Sequence, residues 1–592
     1  MATGGPGAQV AELARRRGFY FRASAVYEGG AGFYTYGPQG AALKANVEAR
    51  WRDRFAVQEG HLQVDAPTIM PEAAFEASGH LDGFDDTMVT CGECGGAHRA
   101  DHLIEAATDI DDAEDMSPTA QAEAIADAAI ACPTCGAPLA GQPVEEFNLM
   151  FPTPIGPGSQ EPGYLRPETA QAIFVEFPRL KEYARGQLPF GVTQIGRAYR
   201  NEISPRRGVV RTREFTQAEL ELFIDPDDPG PEPTDWGDIT VQLWSAADQQ
   251  AGRQPQQHTV ADAVGEGVLT NRWIAYHVAA AAEWYAEIGI DPTRLRFRQH
   301  RSGERAHYAS DCWDAEAEVG DGWIEIAGFA ARGQYDLQHH AAAADADFSM
   351  YVPLEEPRSE TVVEVEVDMG TLGPRFGADA PAVAAAIEAA CAADPSCASA
   401  ATLSVTVDGE VVEVDTAAVS VTESEQTIAG RQVTPAVIEP SFGIDRTVYT
   451  VLVHAYDEDT LGGESRTVLR LAPAVAPTEV GVFPVVSNAP ALVERAEAIA
   501  AELRQAGLRV SYDAGGSIGR RYRRQDEVGT PLGVTVDATE AEDATVTIRE
   551  RDTGAQVRVP VDALVAVLQT VLDAGGAIDA AAAAGHPVEP VS

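Results

Sequence analysis

An arginine-rich stretch over residues 195 to 223, IGRAYRNEISPRRGVVRTREFTQAELELF, contains the first residues that could do chemistry. Five arginines lie between Arg200 and Arg213, although the whole chain has 43 Lys and Arg against 91 Asp and Glu. Arginine binds phosphate oxygens through two parallel hydrogen bonds, an aromatic ring such as that of Phe215 stacks on a base, and carboxylates hold an ammonium group or a metal. The stretch therefore predicts a nucleotide site on two strands and their connecting loop. The alternative is a hairpin whose arginines pair with its own glutamates.

A second candidate anion site is the sequence EPSFGIDR, residues 439 to 446. Arg446 stands at the predicted start of an apolar helix, where a phosphate would meet both its guanidinium and the positive end of the helix dipole. An ordinary surface arginine is the alternative, but the preceding Glu439 and Ser441 disfavour it. The chain has no G-x-x-x-x-G-K-[ST] sequence and no convincing G-x-G-x-x-G after a predicted strand, so a P-loop or a Rossmann domain has no support.

Four of the seven cysteines form two C-x-x-C pairs, Cys91 with Cys94 in CGECG and Cys132 with Cys135 in CPTCG. Two such pairs are typical of a structural, tetrahedral zinc site. The segment between them predicts an acidic helix in SPTAQAEAIADAAIA. Buried thiols in two unrelated turns are the alternative. The other three cysteines lack partners at ligand spacing and are predicted to be small core residues: Cys312, Cys391 and Cys397.

The elements that would position these residues alternate between helix and strand. Apolar residues at 43, 47, 51 and 55 predict an amphipathic helix within 37–60, and LQVDAPTIMP predicts a strand ended by proline. RLRFRQH and GWIEIAGFA predict two strands of one antiparallel sheet, whereas the Pro- and Asp-rich segment 225–265 predicts a surface excursion. After residue 472 the pattern changes to strand, helix and strand, which predicts a separate α/β domain.

The charge balance of the chain is unusual, with a formal net charge of -48 and only two lysines, Lys44 and Lys181. A carboxylate-rich surface stays soluble where salt screens its self-repulsion, so this composition indicates adaptation to a high-salt cytosol. We find no signal peptide and no uncharged apolar run of about 18 residues, which predicts a cytoplasmic protein that does not enter a membrane. Net charge of this kind does not exclude binding to nucleic acid.

Several motifs together resemble a known family. GRAYRNEISPRRGVVRTREFTQAELE resembles motif 2 of the class II aminoacyl-tRNA synthetases, EPSFGIDR resembles motif 3, and the helix and strand ending at Pro67 resemble motif 1. More narrowly, RPETAQ, FYTYGPQG, GWIEIAG, RADHLIE and RYRRQDEVGTP are similar to glycyl-tRNA synthetases of the archaeal and eukaryotic homodimeric type. The resemblance extends from about residue 10 to about residue 560.

This resemblance implies that the chain joins glycine to tRNA(Gly) with ATP and Mg²⁺ and that it acts as a homodimer. Arg200 would contact the α-phosphate and Phe215 would stack on adenine. Arg211 and Arg446 would hold the terminal phosphates, and Arg200 and Arg446 are the implied catalytic residues. The other implied ATP-site residues are Glu202, near the adenine, and Glu325, close to the glycine pocket. The implied glycine pocket is lined by Glu168, Glu219, Glu439 and Ser441.

One departure from the family pattern lies after the GWIEIAG motif. Where some members have Ala-Asp-Arg-Ser before Tyr-Asp-Leu, this chain has Ala330, Ala331, Arg332 and Gly333. The resemblance therefore leaves open which residues support the Arg332 side chain.

The implied fold class is α+β. It comprises a class II synthetase catalytic domain on an antiparallel sheet, with a zinc-knuckle insertion and a second inserted α+β lobe, and a C-terminal α/β anticodon-binding domain. The predicted domains are the catalytic core at 1–84 (motif 1), the four-cysteine zinc insertion at 85–145, the core at 146–354 (motif 2), the inserted lobe at 355–430, the core at 431–471 (motif 3) and the anticodon-binding domain at 472–592.

The sequence GRRYRRQDEVG in the C-terminal domain predicts a helix with concentrated positive charge and one aromatic ring. Arginines can meet phosphate while a ring stacks on unpaired bases, which fits an anticodon-binding role. A solvated helix face balanced by Asp526 and Glu527 is the alternative. The candidate tRNA-binding residues are Arg520, Arg521, Tyr522, Arg523 and Arg524.

Two other functions compete with glycine activation. A related class II synthetase with the same C-terminal domain is disfavoured by RPETAQ and by the glutamates of the pocket. A non-catalytic nucleic-acid-binding relative should have lost its phosphate-binding arginines, whereas Arg200, Arg211 and Arg446 are all present.

Overall fold

A computed structural model of the 592-residue chain separates two compact units. The first unit comprises Met1–Phe348 and Thr434–Ser592, and the second comprises Ser349–Val433. The lobe predicted at 355–430 lies within the second unit. The structure describes residues 6–108, 110, 113–158, 161–205, 208–301, 309–320, 322–407, 409–538, 543–583 and 585–589.

A nine-stranded sheet forms the centre of the first unit. Neighbouring strands run antiparallel except at two places, where Thr240–Trp244 lies parallel to Leu295–Gln299 and Phe190–Tyr199 lies parallel to Leu62–Gln63. The strands predicted from RLRFRQH and GWIEIAGFA are confirmed in this sheet. From edge to edge its strands are Gln256–Thr259, Thr240–Trp244, Leu295–Gln299, Asp311–Glu318, Trp323–Gly333, Ala436–Gly443, Glu214–Ile224, Phe190–Tyr199 and Leu62–Gln63.

The strand Glu214–Ile224 shows how this sheet separates an apolar face from a polar face. Successive side chains of a strand point to opposite sides of the sheet. Ala218 and Leu222 belong to the main hydrophobic core, so the same alternation puts Glu219 and Glu221 together on the other side, where both are buried. Helices that contribute to the core include Pro6–Arg17, Pro38–Arg52, Val260–Gly265, Arg272–Glu287 and Ile444–Ala455.

The amphipathic helix predicted within 37–60 is confirmed as Pro38–Arg52, which continues into a short π-helical turn, Asp53–Val57. Its residues 43, 47, 51 and 55 are at most 1% exposed. The strand predicted from LQVDAPTIMP is wrong as one element, since it forms two short strands, Leu62–Gln63 and Ile69–Pro71. Between them the guanidinium of Arg166 donates to the carbonyl oxygens of residues 66 and 67, which replaces sheet pairing.

The prediction of a surface excursion over 225–265 is wrong for its second half. Residues 240–244 and 256–259 supply two strands at the edge of the nine-stranded sheet. Val260 and Ala263, in the helix Val260–Gly265, are fully buried. The Pro- and Asp-rich composition therefore describes only the irregular connection that precedes residue 240.

The cysteine-containing segment folds around a three-stranded sheet of Asp85–Thr90, Ala97–Arg99 and Val144–Asn148. The predicted acidic helix is confirmed as Pro118–Asp127, and the hydroxyl of Ser117 caps its first turn. A small apolar core holds the segment together. It contains Val89, Ala100, Ile104, Ile125 and Leu139 among its buried residues.

The C-terminal part of the first unit contains a six-stranded sheet with its own hydrophobic core. The strand Val480–Pro484, the helix Pro490–Gln505 and the parallel strand Val510–Tyr512 form the predicted strand–helix–strand unit. The sheet order is Val510–Tyr512, Val480–Pro484, Leu532–Val536, Thr545–Glu550, Gln556–Pro560 and Val588–Glu589. The helices Ile518–Val528 and Leu564–Asp573 also belong to this part.

The second unit is built on a long antiparallel pair, Met350–Val367 with Val419–Val433, and a hairpin, Thr402–Val407 with Glu410–Asp415. Its helix Ala380–Ala393 buries Val383 and Ile387 in the core of the unit. The prediction that Cys391 and Cys397 are core residues is confirmed, since Cys391 is buried in the core of this unit and Cys397 packs against it. The two residues also form a disulfide, which the sequence did not predict.

One apolar stretch, Met369–Ala393, would be long enough to cross a membrane by length and composition alone. In the structure it is not one straight helix. It divides at Gly377, whose φ is +58°, into Met369–Phe376 and Ala380–Ala393. Both parts contribute side chains to the core of the second unit, which explains their apolar character.

Shorter elements complete the first unit. Its other helices include Pro6–Arg17, Glu72–Ala77, His80–Gly83, Ala100–Ala107, Ala170–Val175, Phe177–Tyr183, Ala246–Gln250, Tyr335–Ala344 and Asp579–Ala583. Its other strands include Tyr20–Arg22, Tyr34–Tyr36, Phe151–Ile155, Glu161–Leu165, Tyr456–Leu461 and Glu464–Leu469.

Candidate active site

The six residues predicted to bind ATP line one cavity of about 100 Å³ on the sheet of the first unit. The strands Glu214–Ile224 and Ala436–Gly443 are hydrogen-bonded neighbours, so motif 2 and motif 3 meet there although they are more than 200 residues apart. The residues are Arg200, Glu202, Arg211, Phe215, Glu325 and Arg446.

Arg446 lies in the first turn of the helix Ile444–Ala455 and is held from two sides. Its Nε donates to the carbonyl oxygen of Val210 at 3.1 Å, and its Nη1 lies 3.0 Å from the carbonyl and 3.1 Å from the Oε2 atom of Glu325. Burial raises the pKa of Glu325, but Arg446 and Arg200 lower it further than burial raises it. The pair therefore presents a fixed cation beside a carboxylate that stays charged.

Arg200 connects the ATP cavity with the neighbouring pocket. Its guanidinium lies 5.4 Å from the ring centre of Phe215 and 5.3 Å from that of Phe84. Cation–π contacts of this kind orient a guanidinium without neutralising it. Its Nε donates to the Pro167 carbonyl oxygen at 3.2 Å, so the charged group remains available to a phosphate.

The alternative of a self-paired hairpin finds limited support. Arg211 lies 3.7 Å from Glu202 and Arg197 lies 3.6 Å from Glu214, both longer than a good ion pair. Arg213 instead donates to the backbone carbonyls of residues 31 and 202. The two remaining arginines of the loop, at 206 and 207, lie outside the described residues.

The four residues predicted to bind glycine also come together. Glu219 accepts hydrogen bonds from the Thr169 backbone N–H at 2.8 Å, from the Thr169 hydroxyl, and from the Ser441 hydroxyl at 2.7 Å. Glu168 and Glu439 line a cavity of about 470 Å³ together with Ser441. Arg200, Glu325 and Ser441 line both cavities, so the two sites adjoin.

These carboxylates are crowded in a buried place, which shows in their pKa values. Burial and the charge of Glu168 raise the pKa of Glu219. Burial also raises the pKa of Glu439, to about 8, with Glu168 and Glu219 adding to the rise and Arg332 opposing it. The pKa of Glu168 is instead lowered, because His80 and Arg332 outweigh the effect of burial. The arrangement favours arrival of a further cation such as an ammonium group.

Arg332 is a buried residue whose side chain pairs with the pocket carboxylate Glu439. Sequence reasoning did not assign it to the site. It is 2% exposed, and its guanidinium donates to Asp336 at 2.8 and 3.0 Å and to Glu439 at 2.6 Å. Ala331, at the position where the family pattern departs, packs in the hydrophobic core. The sequence departs from the family pattern at Ala331 and Gly333 but keeps Tyr-Asp-Leu, and Asp336 of that sequence holds the Arg332 guanidinium in place.

Sequence reasoning also missed one residue that lines the larger cavity and one buried carboxyl that interacts with the pocket glutamates. His80 lies 3.6 Å from Glu168 and lines the larger cavity. Glu221 is fully buried, and neither carboxylate oxygen has a hydrogen-bond partner in the described structure. Burial and Glu439 raise its pKa well above the usual value. The only available signal for Glu221 was its spacing of two residues from Glu219 on a strand.

The four cysteines of the two C-x-x-C pairs converge, with their sulfur atoms within 4.8 Å of one another. The Cys91–Cys135 and Cys94–Cys132 sulfur distances are 3.7 and 3.8 Å. A tetrahedral zinc ion with Zn–S bonds of about 2.3 Å separates its sulfur ligands by about 3.8 Å. The cluster therefore fits zinc in both its ligand type and its spacing.

The predicted C-terminal helix is confirmed as Ile518–Val528, but its charged residues differ in role. Arg521 is fully buried and donates to the backbone carbonyls of residues 484, 514 and 516, which is a structural arrangement. The Tyr522 hydroxyl lies 2.6 Å from the Thr535 hydroxyl, and its ring packs on Phe483. Charge pattern alone did not distinguish these side chains from surface ones.

The other three arginines of the helix are accessible to different degrees. Arg520 is exposed. Arg523 lies 3.2 Å from Glu464, and Arg524 donates to Asp513 at 2.8 Å. Contact with tRNA stays a prediction for these three side chains.

Two segments of the chain match known protein families. Residues 158–250 match the "tRNA synthetase class II core domain (G, H, P, S and T)", and residues 479–571 match the "Anticodon binding domain". Along nearly its whole length the chain is 48% identical to a glycine–tRNA ligase of Methanothrix thermoacetophila, covering 95% of this chain and 96% of the relative. The chain belongs to the glycine–tRNA ligase family.

Other glycine–tRNA ligases show similar relationships. Identity is 45% to the enzyme of Methanothermobacter thermautotrophicus, over 94% of this chain and 97% of the relative, and 44% to that of Archaeoglobus fulgidus, over 95% and 96%. The glycine–tRNA ligase family confirms the predicted α+β class with a class II core and an anticodon-binding domain. The core match includes Arg200 and Phe215 of the ATP cavity, and the anticodon match includes the helix Ile518–Val528.

Proposed function

We propose that this chain activates glycine with ATP and transfers the glycyl group to the 3′ end of tRNA(Gly). The observation that carries the proposal is the junction of two cavities. One is lined by arginines and Phe215, the other by buried glutamates and Ser441, and Arg200 lies between them. The first suits a nucleoside triphosphate and the second suits a small ammonium compound, so the junction is the place where their reacting groups would meet.

Positioning and charge would account for the first step. A carboxylate oxygen of glycine attacks the α-phosphorus of ATP, the bond to the bridging oxygen of the β-phosphate breaks, and pyrophosphate leaves. Arg200 would stabilise charge on the α-phosphate, while Arg211 and Arg446 would hold the terminal phosphates. Electrostatic preorganisation of this kind is a major source of catalysis, and it requires no protein nucleophile. Mg²⁺ bound with ATP would offset phosphate charge beside Glu202 and Glu325.

Transfer to tRNA then completes the reaction. A hydroxyl group of the terminal ribose attacks the carbonyl carbon of glycyl-adenylate, and AMP leaves. The C-terminal part would bind the anticodon end of the tRNA, with Arg520, Arg523 and Arg524 as the contact residues we propose.

Selection of glycine would combine attraction with exclusion. Glu168, Glu219 and Glu439 would bind the ammonium group, and the Ser441 hydroxyl, fixed on Glu219 at 2.7 Å, would occupy the space that a β-carbon needs. A missing methyl group provides only about 1–3 kcal/mol of discrimination by hydrophobic binding, whereas steric exclusion can exceed that value. Steric exclusion in the pocket could therefore select glycine without a separate editing site.

We also propose that zinc on the four-cysteine cluster stabilises the module around it, and that the protein is a homodimer in a high-salt cytoplasm. The acidic composition supports the high-salt cytoplasm.

The test of the proposed function is charging of tRNA(Gly) transcripts with labelled glycine, against a transcript of another tRNA. Charging of tRNA(Gly) alone is expected, whereas no charging by a folded, metal-loaded protein would refute the proposal.

A further inference from the structure

A second cluster of potential metal ligands lies in the wall of the larger cavity, on neighbouring strands. His300 directly follows the strand Leu295–Gln299, and its backbone N–H donates to the carbonyl oxygen of Cys312 at 2.9 Å, so the two residues face each other. Asp314 lies two positions after Cys312 and therefore projects to the same side of the sheet. One ligand atom from each of His300, Cys312 and Asp314 lies within 4.8 Å of the other two.

The surroundings of this cluster leave room for an ion. All three residues line the cavity of about 470 Å³ that also contains Glu168 and Glu439. Opposite Asp314 in the next strand is Gly328, which has no side chain that could cover the carboxylate. Cys312, which the sequence predicts to be a core residue, is half-buried and reaches the cavity instead.

The ligand types define the ion. Imidazole nitrogen, thiolate sulfur and a carboxylate oxygen form a mixed set that suits zinc and similar transition metals, whereas Mg²⁺ and Ca²⁺ prefer oxygen ligands alone. Tetrahedral bonds of about 2.0–2.3 Å would separate the ligand atoms by about 3.3–3.8 Å. The 2.8 Å hydrogen bond between His300 Nε2 and Asp314 Oδ2 would open by about 0.5–1 Å to admit the ion.

We propose that His300, Cys312 and Asp314 form a second divalent transition-metal site, separate from the four-cysteine cluster, with its fourth position open to the cavity. Three protein ligands and one open position are the arrangement of a zinc site that can accept water or another ligand. This assignment depends on the geometry of the strands and not on the proposed activity of the chain.

Cobalt binding tests this site by stoichiometry and by spectroscopy. The metal-free full chain is titrated with Co²⁺ in high KCl, and thiolate-to-cobalt charge-transfer absorption reports cysteine ligation. We expect two equivalents in the unaltered protein. Cys312→Ser should lose one equivalent and keep the four-thiolate spectrum, and Asp314→Asn should weaken the same equivalent at least tenfold. One equivalent in the unaltered protein, with a spectrum that Cys312→Ser does not change, would overturn the proposal.

A second pair of variants keeps the test decisive if the cysteine module is sensitive to change. Cys94→Ser is compared with Cys94→Ser/Cys312→Ser, and circular dichroism verifies that both are folded. The first should show one-thiolate cobalt absorption that the second lacks. Identical titrations of the two variants would contradict the site, whatever cobalt the altered module retains.

Discussion

Replacement of Arg332 by methionine should destabilise the first unit strongly. Methionine has similar length and no charge, so the substitution removes the partner of buried carboxylates while leaving little empty space. The ion pairs lost are those to Asp336, at 2.8 and 3.0 Å, and to Glu439, at 2.6 Å. Breaking a buried pair by removal of one partner costs about 3–5 kcal/mol, because the remaining charge is left buried and unpaired.

The assay is urea unfolding at fixed, high KCl, followed by tryptophan fluorescence. Trp51, Trp284 and Trp313 are fully buried in the main core and report on this part of the chain. A matched control is Arg253→Met, since Arg253 pairs with Asp248 at 2.6 Å but is 59% exposed. Exposed pairs contribute about 0–1 kcal/mol, so the control should change the free energy of unfolding by no more than that.

The difference between the two variants should depend on pH. Loss of Arg332 removes the main cation beside Glu439, so that carboxyl will bind a proton more readily in the folded state. The destabilisation by Arg332→Met should therefore shrink as pH falls from about 10 to about 8, because the parent protein's Glu439 is ionised only above its folded-state pKa of about 8. Equal destabilisation by the two substitutions, or an effect of Arg332→Met below about 1 kcal/mol at pH 8, would refute the account of a buried clamp.

Further predictions concern the pocket and the cysteine module. Glu219→Gln should raise the KM for glycine about 10- to 100-fold in ATP–pyrophosphate exchange, since it removes a charge-assisted hydrogen bond of about 1.5–3 kcal/mol; an unchanged KM would exclude Glu219 from ammonium binding. The folded state raises the pKa of Glu221 well above its usual 4.5, so the folded chain holds a proton that the unfolded chain releases. Between the usual pKa and the folded-state pKa, this group lowers the free energy of unfolding by about 1.4 kcal/mol for each unit that the pH rises. Glu221→Gln should lack that slope, and parallel pH profiles for variant and parent would contradict the burial argument. Arg446→Ala should abolish exchange with an unchanged circular dichroism spectrum, and retained activity would argue against its phosphate role. Cys94→Ser should lose one equivalent of zinc relative to the parent protein by elemental analysis and make the module cleavable by protease, whereas a zinc-free parent protein would refute the metal assignment.

Residues that act through their neighbours in sequence were predictable. Arg200 and Phe215 lie on one strand–loop–strand segment whose residue types indicate a nucleotide site, whereas Glu219 of the same segment is implied only by the family resemblance. The helix of residues 38–52 followed likewise from its apolar spacing.

Residues that depend on distant partners were not predictable in the same way. Arg332 meets Glu439 across 107 positions of sequence, and only the pairing of their strands brings them together. Arg521 lies in a run of arginines that indicates an exposed helix face, yet its guanidinium donates hydrogen bonds to the backbone carbonyls of residues 514 and 516. Residues 240–259 have a loop-like composition but gain strand structure from the edge of an existing sheet.

We propose that buried carboxylates beside an arginine-lined cavity select glycine for adenylation. The most direct measurement is ATP–pyrophosphate exchange in high KCl with glycine, alanine, serine and proline each supplied alone. We expect exchange with glycine only, because the Ser441 hydroxyl would occupy the space that a β-carbon needs. Exchange with alanine at a comparable rate, or no exchange with any of the four by a protein shown to be folded at that salt concentration, would contradict it.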